Sequence, residues 1–447
     1  IIRRKGRAMK KREKKSAYPK TGRAISRRKF LAMTAGATAA LSFGTFLRSG
    51  LGATKVNLLT WPNTLNAMDD VLRDQAKEYT KARGIEIGIE FISYNDLPAK
   101  TAAAVESGAG PDIVALVGDG AHLHVNSLVD IGDVAEPLGK ELKDWTNIAK
   151  DIAFIGKTWK AVPWGIVPQV IDYRSDWVKE LGYQTFPDTY DEMLVLAKKL
   201  KDKGHPIGFA LGRAIGDANQ FHYPLLWSFG GAECKKDGKT VAINSPETAK
   251  VVDYRRQLFK DGETADVLSW DDSSNNRAFL AGELSITLNA TSIYWAEKKN
   301  APHLREVTDH ALPPKGPAGR FGYSTPFSLG VFKFSKVQKE AKAFIKWLIE
   351  PKQYSAWIGV GEGMMAGLLN FYEDDPVWKK DPKLAASREV PKYVRMPGYP
   401  GPPSRYAAEA MVKYVIVNMF ARACTGMSTP ETIKIAEGEL KEVYGKA

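Results

Sequence analysis

The sequence predicts an α/β fold built in two lobes, and three observations carry that expectation. The chain has 447 residues, more than one compact core usually serves. Short apolar runs of strand length alternate with segments of helical periodicity, which points to α/β layers around a mainly parallel sheet. The alternation starts twice, near Lys55 and again after Val170-Ile171-Asp172-Tyr173.

The first lobe opens with Val56-Asn57-Leu58-Leu59-Thr60, a strand-length run closed by the turn Trp61-Pro62-Asn63. Met68, Val71, Leu72, Ala76 and Tyr79 then recur at helical spacing up to Gly84, a stop signal. Ile85, Ile87, Ile89 and Phe91 alternate as a second strand, Leu97 to Val105 has the spacing of a short helix, and Pro111 to Val117 reads as a third strand. In the second lobe, helices are expected over 188–203 and 246–261 and a strand from Leu284 to Leu288. Ligands of such sheets sit outside the carboxyl ends of the strands, which makes Trp61, Tyr94 and Asp119 candidate contacts.

The formal charge of +13 suggests a nucleic-acid binder until its position is considered. Residues 1–53 hold 15 of the 64 Lys and Arg and only Glu13 of the 51 acids, leaving 49 bases against 50 acids in the body. The basic end has the layout of an export signal: a positive stretch, then Ser26-Arg27-Arg28-Lys29-Phe30-Leu31, then an uncharged run through Leu47. That run, diluted by Thr and Gly, is shorter than the roughly 20 apolar residues a membrane span needs, so it reads as a cleavable signal. The motif resembles the twin-arginine export signal, with cleavage near Leu51-Gly52-Ala53 and Met9 as a start from which a conventional leader would run. The alternative, a basic tail for nucleic acid or anionic lipid, does not account for the apolar run beside the arginines. Export by the Tat machinery to the periplasm is therefore expected, with no nucleic-acid partner.

Further along the body, Gly108-Ala109-Gly110-Pro111-Asp112-Ile113-Val114 is followed by Leu128-Val129-Asp130-Ile131, Gly156 to Trp164 and Asp172-Tyr173-Arg174-Ser175-Asp176. Phe186 to Glu192, Phe279-Leu280-Ala281-Gly282-Glu283, Tyr323 to Val331 and Ala343 to Leu348 come next. In their order, over about 55 to 445, these blocks resemble the family 1 extracellular solute-binding proteins. The resemblance implies a two-lobed periplasmic binding protein of type II with hinge strands between the lobes. On that template residues 1–53 are leader and signal peptide, lobe one holds 54–166 and 325–366, and lobe two holds 167–324 and 367–447. The crossings are expected near Trp164 to Gln169 and Ser324 to Leu329, where Pro163, Pro168 and Pro326 favour extended chain.

The implied function is the substrate-binding component of an ABC importer, a monomer that captures a small solute, a carbohydrate first of all, and delivers it to a membrane permease. A sugar presents apolar C–H faces and a rim of hydroxyls, so its site needs flat rings and a few polar groups. The ring candidates are Trp61, Trp164, Trp227, Trp295 and Tyr323, and the polar ones Asp119, Gln169, Asn289, Thr291 and Glu362, with Ser292 and Arg405 behind them. For each ring, core packing is the competing role, and for each strand-end Asp or Asn it is turn capping. Trp347 and Trp357 lie on helical patterns and read as core.

Two other readings stay open: a receptor for a polyol, a glycerol phosphodiester or an organic acid, and a Tat-exported periplasmic enzyme. The enzyme reading lacks a motif. Gly361-x-Gly363-x-x-Ala366 follows a helical pattern instead of a strand, and no phosphate loop, His-Glu-x-x-His pair or nucleophile elbow occurs. His122 and His124, two apart on an expected helix, point to different faces. Cys234 and Cys424 stand alone and read as two isolated apolar residues, with one disulfide as the alternative. No cofactor and no metal are expected.

Overall fold

The computed structural model describes residues 54–445 apart from Asn95, so the basic leader, with its expected export signal and cleavage site, lies outside the described residues. Strand β1 (Lys55–Thr60) buries Val56, Leu58 and Leu59. Helix α1 (Asn66–Arg83) turns Met68, Leu72, Ala76 and Tyr79 into the same core. It stops at Gly84, whose φ of 68° is the left-handed conformation glycine adopts without a Cβ clash. Strand β2 (Glu86–Phe91) then runs parallel to β1, with Lys55 opposite Glu86 and Thr60 opposite Phe91. Helix α2 (Leu97–Ser107) leads to β3 (Ile113–Val117), which pairs parallel on the other side of β1.

The chain next runs through β4 (Val162–Ile166) of this sheet and, after three connecting residues, into β5 (Val170–Arg174) of a different one. That second sheet also holds β6 (Ile286–Asn289) and β7 (Thr308–Ala311), in the order β6-β5-β7, with both pairs antiparallel. Strand β8 (Pro326–Val331) returns to the first sheet, completing the order β2-β1-β3-β8-β4, antiparallel to both of its neighbours. A mainly parallel sheet was the expectation, and it holds only for β2, β1 and β3. The reason is topological: β4 carries the chain out of the first lobe and β8 brings it back, so the two must run in opposite directions.

The crossings are narrower than the sequence suggested. Trp164 and Phe327 to Leu329 are already inside strands, and the connecting chain is 167–169 on one side and 322–325 on the other. The two crossings bond to each other: Val167 N–H donates to the Thr325 carbonyl at 3.2 Å and Gln169 N–H to Ser324 Oγ at 3.2 Å. Beside them, Ile166 and Ala366 exchange both backbone hydrogen bonds, at 3.0 and 2.9 Å.

Around the second sheet stand α3 (Tyr190–Asp202), α4 (Asp217–Ser228) and α5 (Pro246–Gly262). Helix α3 starts at Thr189, whose hydroxyl accepts from Glu192 N–H while the Glu192 carboxylate accepts from Thr189 N–H, a reciprocal cap. The C-terminal helices α6 (Arg405–Val412), α7 (Val415–Cys424) and α8 (Thr429–Tyr444) close this lobe, α7 packing on α4, α5 and α8. Cys234 and Cys424 are both free thiols, facing the Gly398 and Arg255 carbonyls respectively. Among the described residues no helix is long and apolar enough to cross a membrane.

Candidate ligand cleft between the lobes

A cavity of about 710 Å³ lies beside the crossings and takes walls from both lobes, within the size range of small-molecule sites. From lobe one it receives Tyr94, the start of α2, and the end of β3. There Gly118 (φ 57°) turns the chain, and its N–H donates to the Pro326 carbonyl at 2.9 Å. The turn delivers Asp119 to the cavity at the head of a short helix, Gly120–Leu123, and the Asp119 side chain makes no capping bond there. Burial pushes the Asp119 carboxyl above its usual range, opposed by its own backbone N–H and by His122. His124, also in the lining, is pushed down by burial.

From lobe two come Ile215, Gly216 and Gln220 around the start of α4, Asp272 from a neighbouring loop, and one face of α6. Asp272 Oδ1 accepts from the backbone N–H groups of Gly216 and Asp217, both at 2.9 Å, which ties the loop to the helix start. Asp217 beside it has its carboxyl raised to about 8, by burial first and then by the Asp272 charge. Gln220 Nε2 reaches Thr325 Oγ1 of the crossing at 3.5 Å. Ser404 caps α6 by accepting from Ala407 N–H at 3.2 Å, which aims Ala408, Met411 and Val412 at the cavity.

The residues singled out in the sequence fall in three places. Asp119 and Tyr323 line the cavity; Tyr323 is mostly buried and its hydroxyl donates to Met411 Sδ at 3.1 Å. Trp61 stands one ring behind, edge-on to Tyr94 at 6.1 Å, and also touches Trp164 and Phe327. Trp164 is stacked on Trp357 at 4.7 Å, and Gln169 lies in the crossing with its buried Oε1 unpartnered.

The third place is away from the lining. Trp227 is 2 % exposed among Tyr223, Phe321 and Tyr399. Asn289 donates to Asn276 Oδ1 at 2.6 Å, Thr291 Oγ1 donates to the Glu362 carbonyl at 3.4 Å, and Glu362 pairs with Lys298 at 2.8 Å. Trp295, on the same helix as Lys298, is half-buried against the core. Sequence reading missed Gln220, Asp272 and the α6 face. The signal for α6 was present as Pro402-Pro403-Ser404 before an Ala- and Met-containing helical run, a helix start.

The sequence model of bacterial extracellular solute-binding proteins matches residues 63–355. A protein of Brucella abortus (strain 2308) described as a binding protein is 25% identical over 293 residues, 63% of this chain and 68% of that one. A Deinococcus radiodurans protein described as an ABC transporter-binding protein is 22% identical over 299 residues, 64% and 69% of the two chains. Among solved structures, the sugar-binding protein MalE of Xanthomonas citri superposes with a TM-score of 0.74 at 17% identity, covering 88% of this chain and 98% of its own. Maltose-bound MalE3 of T. maritima gives 0.72 at 22% identity, with 88% and 100% covered. An Agrobacterium radiobacter K84 solute-binding protein in complex with ribitol gives 0.68 at 20% identity, with 88% and 100% covered. The two-sheet architecture is therefore the periplasmic-binding-protein fold, and with the family match spanning most of the body, this chain belongs to the bacterial extracellular solute-binding proteins.

Proposed function

We propose that this protein is the receptor of an ABC importer, which takes up a carbohydrate in the cavity between its lobes, closes about the crossings and presents the closed form to a membrane permease. The observation that carries the reading is the cavity itself: both lobes wall it, and the two bonded crossings, 167–169 and 322–325, stand at its side. An open cleft with walls on two hinged bodies lets the bound solute favour the closed state, which is the differential affinity a capture-and-deliver cycle needs. No covalent chemistry enters.

The lobe boundaries that go with this reading are 54–166 with 325–366, and 167–324 with 367–447. Solute contacts are assigned to Tyr94, Asp119 and Asp272, with Gln220 and the Tyr323 ring, whose polar groups are engaged within the protein, completing the wall. The similar structures bound to maltose and to ribitol favour a sugar or polyol, and the Deinococcus relative favours the ABC partnership. Tat export rests on the leader sequence, and the periplasmic location is supported both by that leader and by membership of an extracellular solute-binding family.

The test is a thermal-shift screen of the full chain against sugars, polyols, sugar phosphates and organic acids, because a ligand held only by the folded state raises Tm. A shift with a sugar is the expected result. A shift with polyols or organic acids alone would keep the receptor and overturn the carbohydrate; no shift with any of them would overturn both.

A further inference from the structure

The described residues include six large apolar side chains that are notably exposed, and four of them, Tyr94, Leu123, Ile215 and Val412, line this one cavity. Two come from each lobe, so closure would sandwich apolar surface from both sides. Behind them the walls are aliphatic, with Leu97, Leu116, Met396 and Met411 among the lining. Among the described residues no Trp lines the cavity, and of the two Tyr rings that do, Tyr323 is mostly buried with its hydroxyl already donating to Met411. Tyr94 is thus the one exposed Tyr or Trp ring among the described lining residues.

The polar groups are few and of one sign. Asp119 and Asp272 are the acidic lining residues, the His124 ring beside them is held toward its neutral form by burial, and neither Lys nor Arg is among the described residues that line the cavity. Arg213, whose charge reaches Tyr414, is outside the lining. Gln220 and Thr325 are engaged with each other and Ser404 with its helix cap. A bare sugar would bring a full rim of hydroxyls to walls that leave most of them unpaired, and a buried polar group without a partner is costly. An anion would meet two carboxyl groups and, among the described lining residues, no Lys or Arg.

We propose that the cleft selects an amphipathic, non-anionic solute: a hydroxylated or amine-bearing head between Asp119 and Asp272, and a hydrocarbon portion laid against Leu123, Ile215 and Val412. Within the carbohydrate reading, on which this rests, that describes a glycoside with an apolar aglycone. Met396 and Met411, unbranched and adaptable, suit such a portion of variable shape.

The experiment is calorimetric titration of the full chain with octyl β-glucoside below its micellar concentration, methyl β-glucoside, octylamine, octanoate and glucose 6-phosphate. The octyl glucoside is expected to bind at least tenfold more tightly than the methyl glucoside, and the two anions not measurably. Leu123→Asn with Val412→Asn, both surface positions, should abolish the preference for the tail without lowering Tm, which separates cleft binding from adventitious partitioning. Asp119→Asn with Asp272→Asn should weaken the head contact and admit octanoate.

Equal or tighter binding of methyl β-glucoside overturns the inference and leaves the sugar receptor standing. Binding of octylamine without either glucoside overturns the carbohydrate reading and leaves the amphipathic, non-anionic site standing. Binding of either anion, absence of binding by every tailed probe, or an undiminished tail preference in the double Asn variant overturns the proposal.

Discussion

The Asp172 carboxylate on β5 and the His310 ring on β7 lie 3.3 Å apart, Oδ1 to Nε2, with both side chains fully buried. The other ring nitrogen, Nδ1, is 2.9 Å from the Lys383 carbonyl, which can only accept, so Nδ1 carries a proton. The facing pair therefore has to hold one further proton, either on Nε2 or on the carboxyl. Neither Asp172 oxygen has another partner.

Replacing Asp172 by Leu should cost about 3 kcal/mol, the order found when one partner of a buried pair is removed, and Asp172→Asn less, because its amide can donate to a neutral Nε2. Urea unfolding of both variants checks this. Burial acts to lower His310, but Asp172, the Lys383 carbonyl and Asp309 outweigh it and raise the ring above 6.5. Its contribution is thus complete below pH 6.5 and lost as pH rises through the higher folded value. Glu297, raised to about 7 by burial and bonded by Thr308 Oγ1 at 2.7 Å, adds the same sign between about 4.5 and 7. Lys383 acts on Glu297 in the opposite sense. Stability should fall from pH 6 to pH 8, and His310→Gln should flatten the fall.

A second buried network holds the helices of lobe two together. Arg255 donates from Nη1 to Glu263 at 2.7 Å and from Nε to His222 Nε2 at 3.0 Å, while the other Glu263 oxygen accepts Phe209 N–H at 2.9 Å. Arg255→Met would strand a buried carboxylate and is expected to cost ~3–5 kcal/mol. The double variant Arg255→Met, Glu263→Gln should recover part of that loss, and a double-mutant cycle in urea measures the coupling. Full additivity of the two losses would sink this account.

How much of this was legible in the sequence differs by element. β1, α1, β2 and β3 follow from local periodicity and glycine stops, because each buries one face against its immediate neighbours. The direction of β8 was not legible: its partners β3 and β4 are some 150 to 220 residues away in sequence, and no local pattern encodes who sits beside whom. The same holds for the cleft. Asp119 was found because it directly follows a strand, whereas Asp272 is placed by two backbone N–H groups 55 and 56 residues away. Trp227 illustrates the converse, since a Trp before Phe229-Gly230-Gly231 has the same local sequence whether it faces solvent or, as here, Tyr223 and Tyr399.

Asp217 gives a pH prediction tied to the cleft. Its carboxyl, raised to about 8 by burial and by Asp272, binds its proton more readily folded than unfolded. Its contribution to stability is therefore greatest below about pH 4 and declines up to about pH 8. Asp217→Asn removes the charge that has to be buried, so it should raise stability more at pH 8 than at pH 5. The gain is expected on the order of 1–2 kcal/mol, discounted for partial exposure. Melting curves at the two pH values decide it: equal gains at both would mean the carboxyl ionises freely in the folded protein.

The two rings nearest the functional question, Tyr94 and Trp227, are expected to respond in opposite ways. Tyr94 is 42% exposed in the cavity wall, so Tyr94→Ala removes little packing, and Tm should change by no more than a degree or two. Solute affinity should fall about tenfold, the order for losing a ring worth roughly 1.4 kcal/mol. Trp227 fills a closed aromatic cluster, so Trp227→Ala should cost ~3–5 kcal/mol of stability. Trp227→Phe, which keeps much of that packing, should leave affinity within about twofold. Titration with a solute from the thermal-shift screen measures both. A large affinity loss in Trp227→Phe at unchanged Tm would move the solute contact from the α6 side of the cavity to the Trp227 cluster, and an unaffected Tyr94→Ala would remove the Tyr94 ring from the recognition surface.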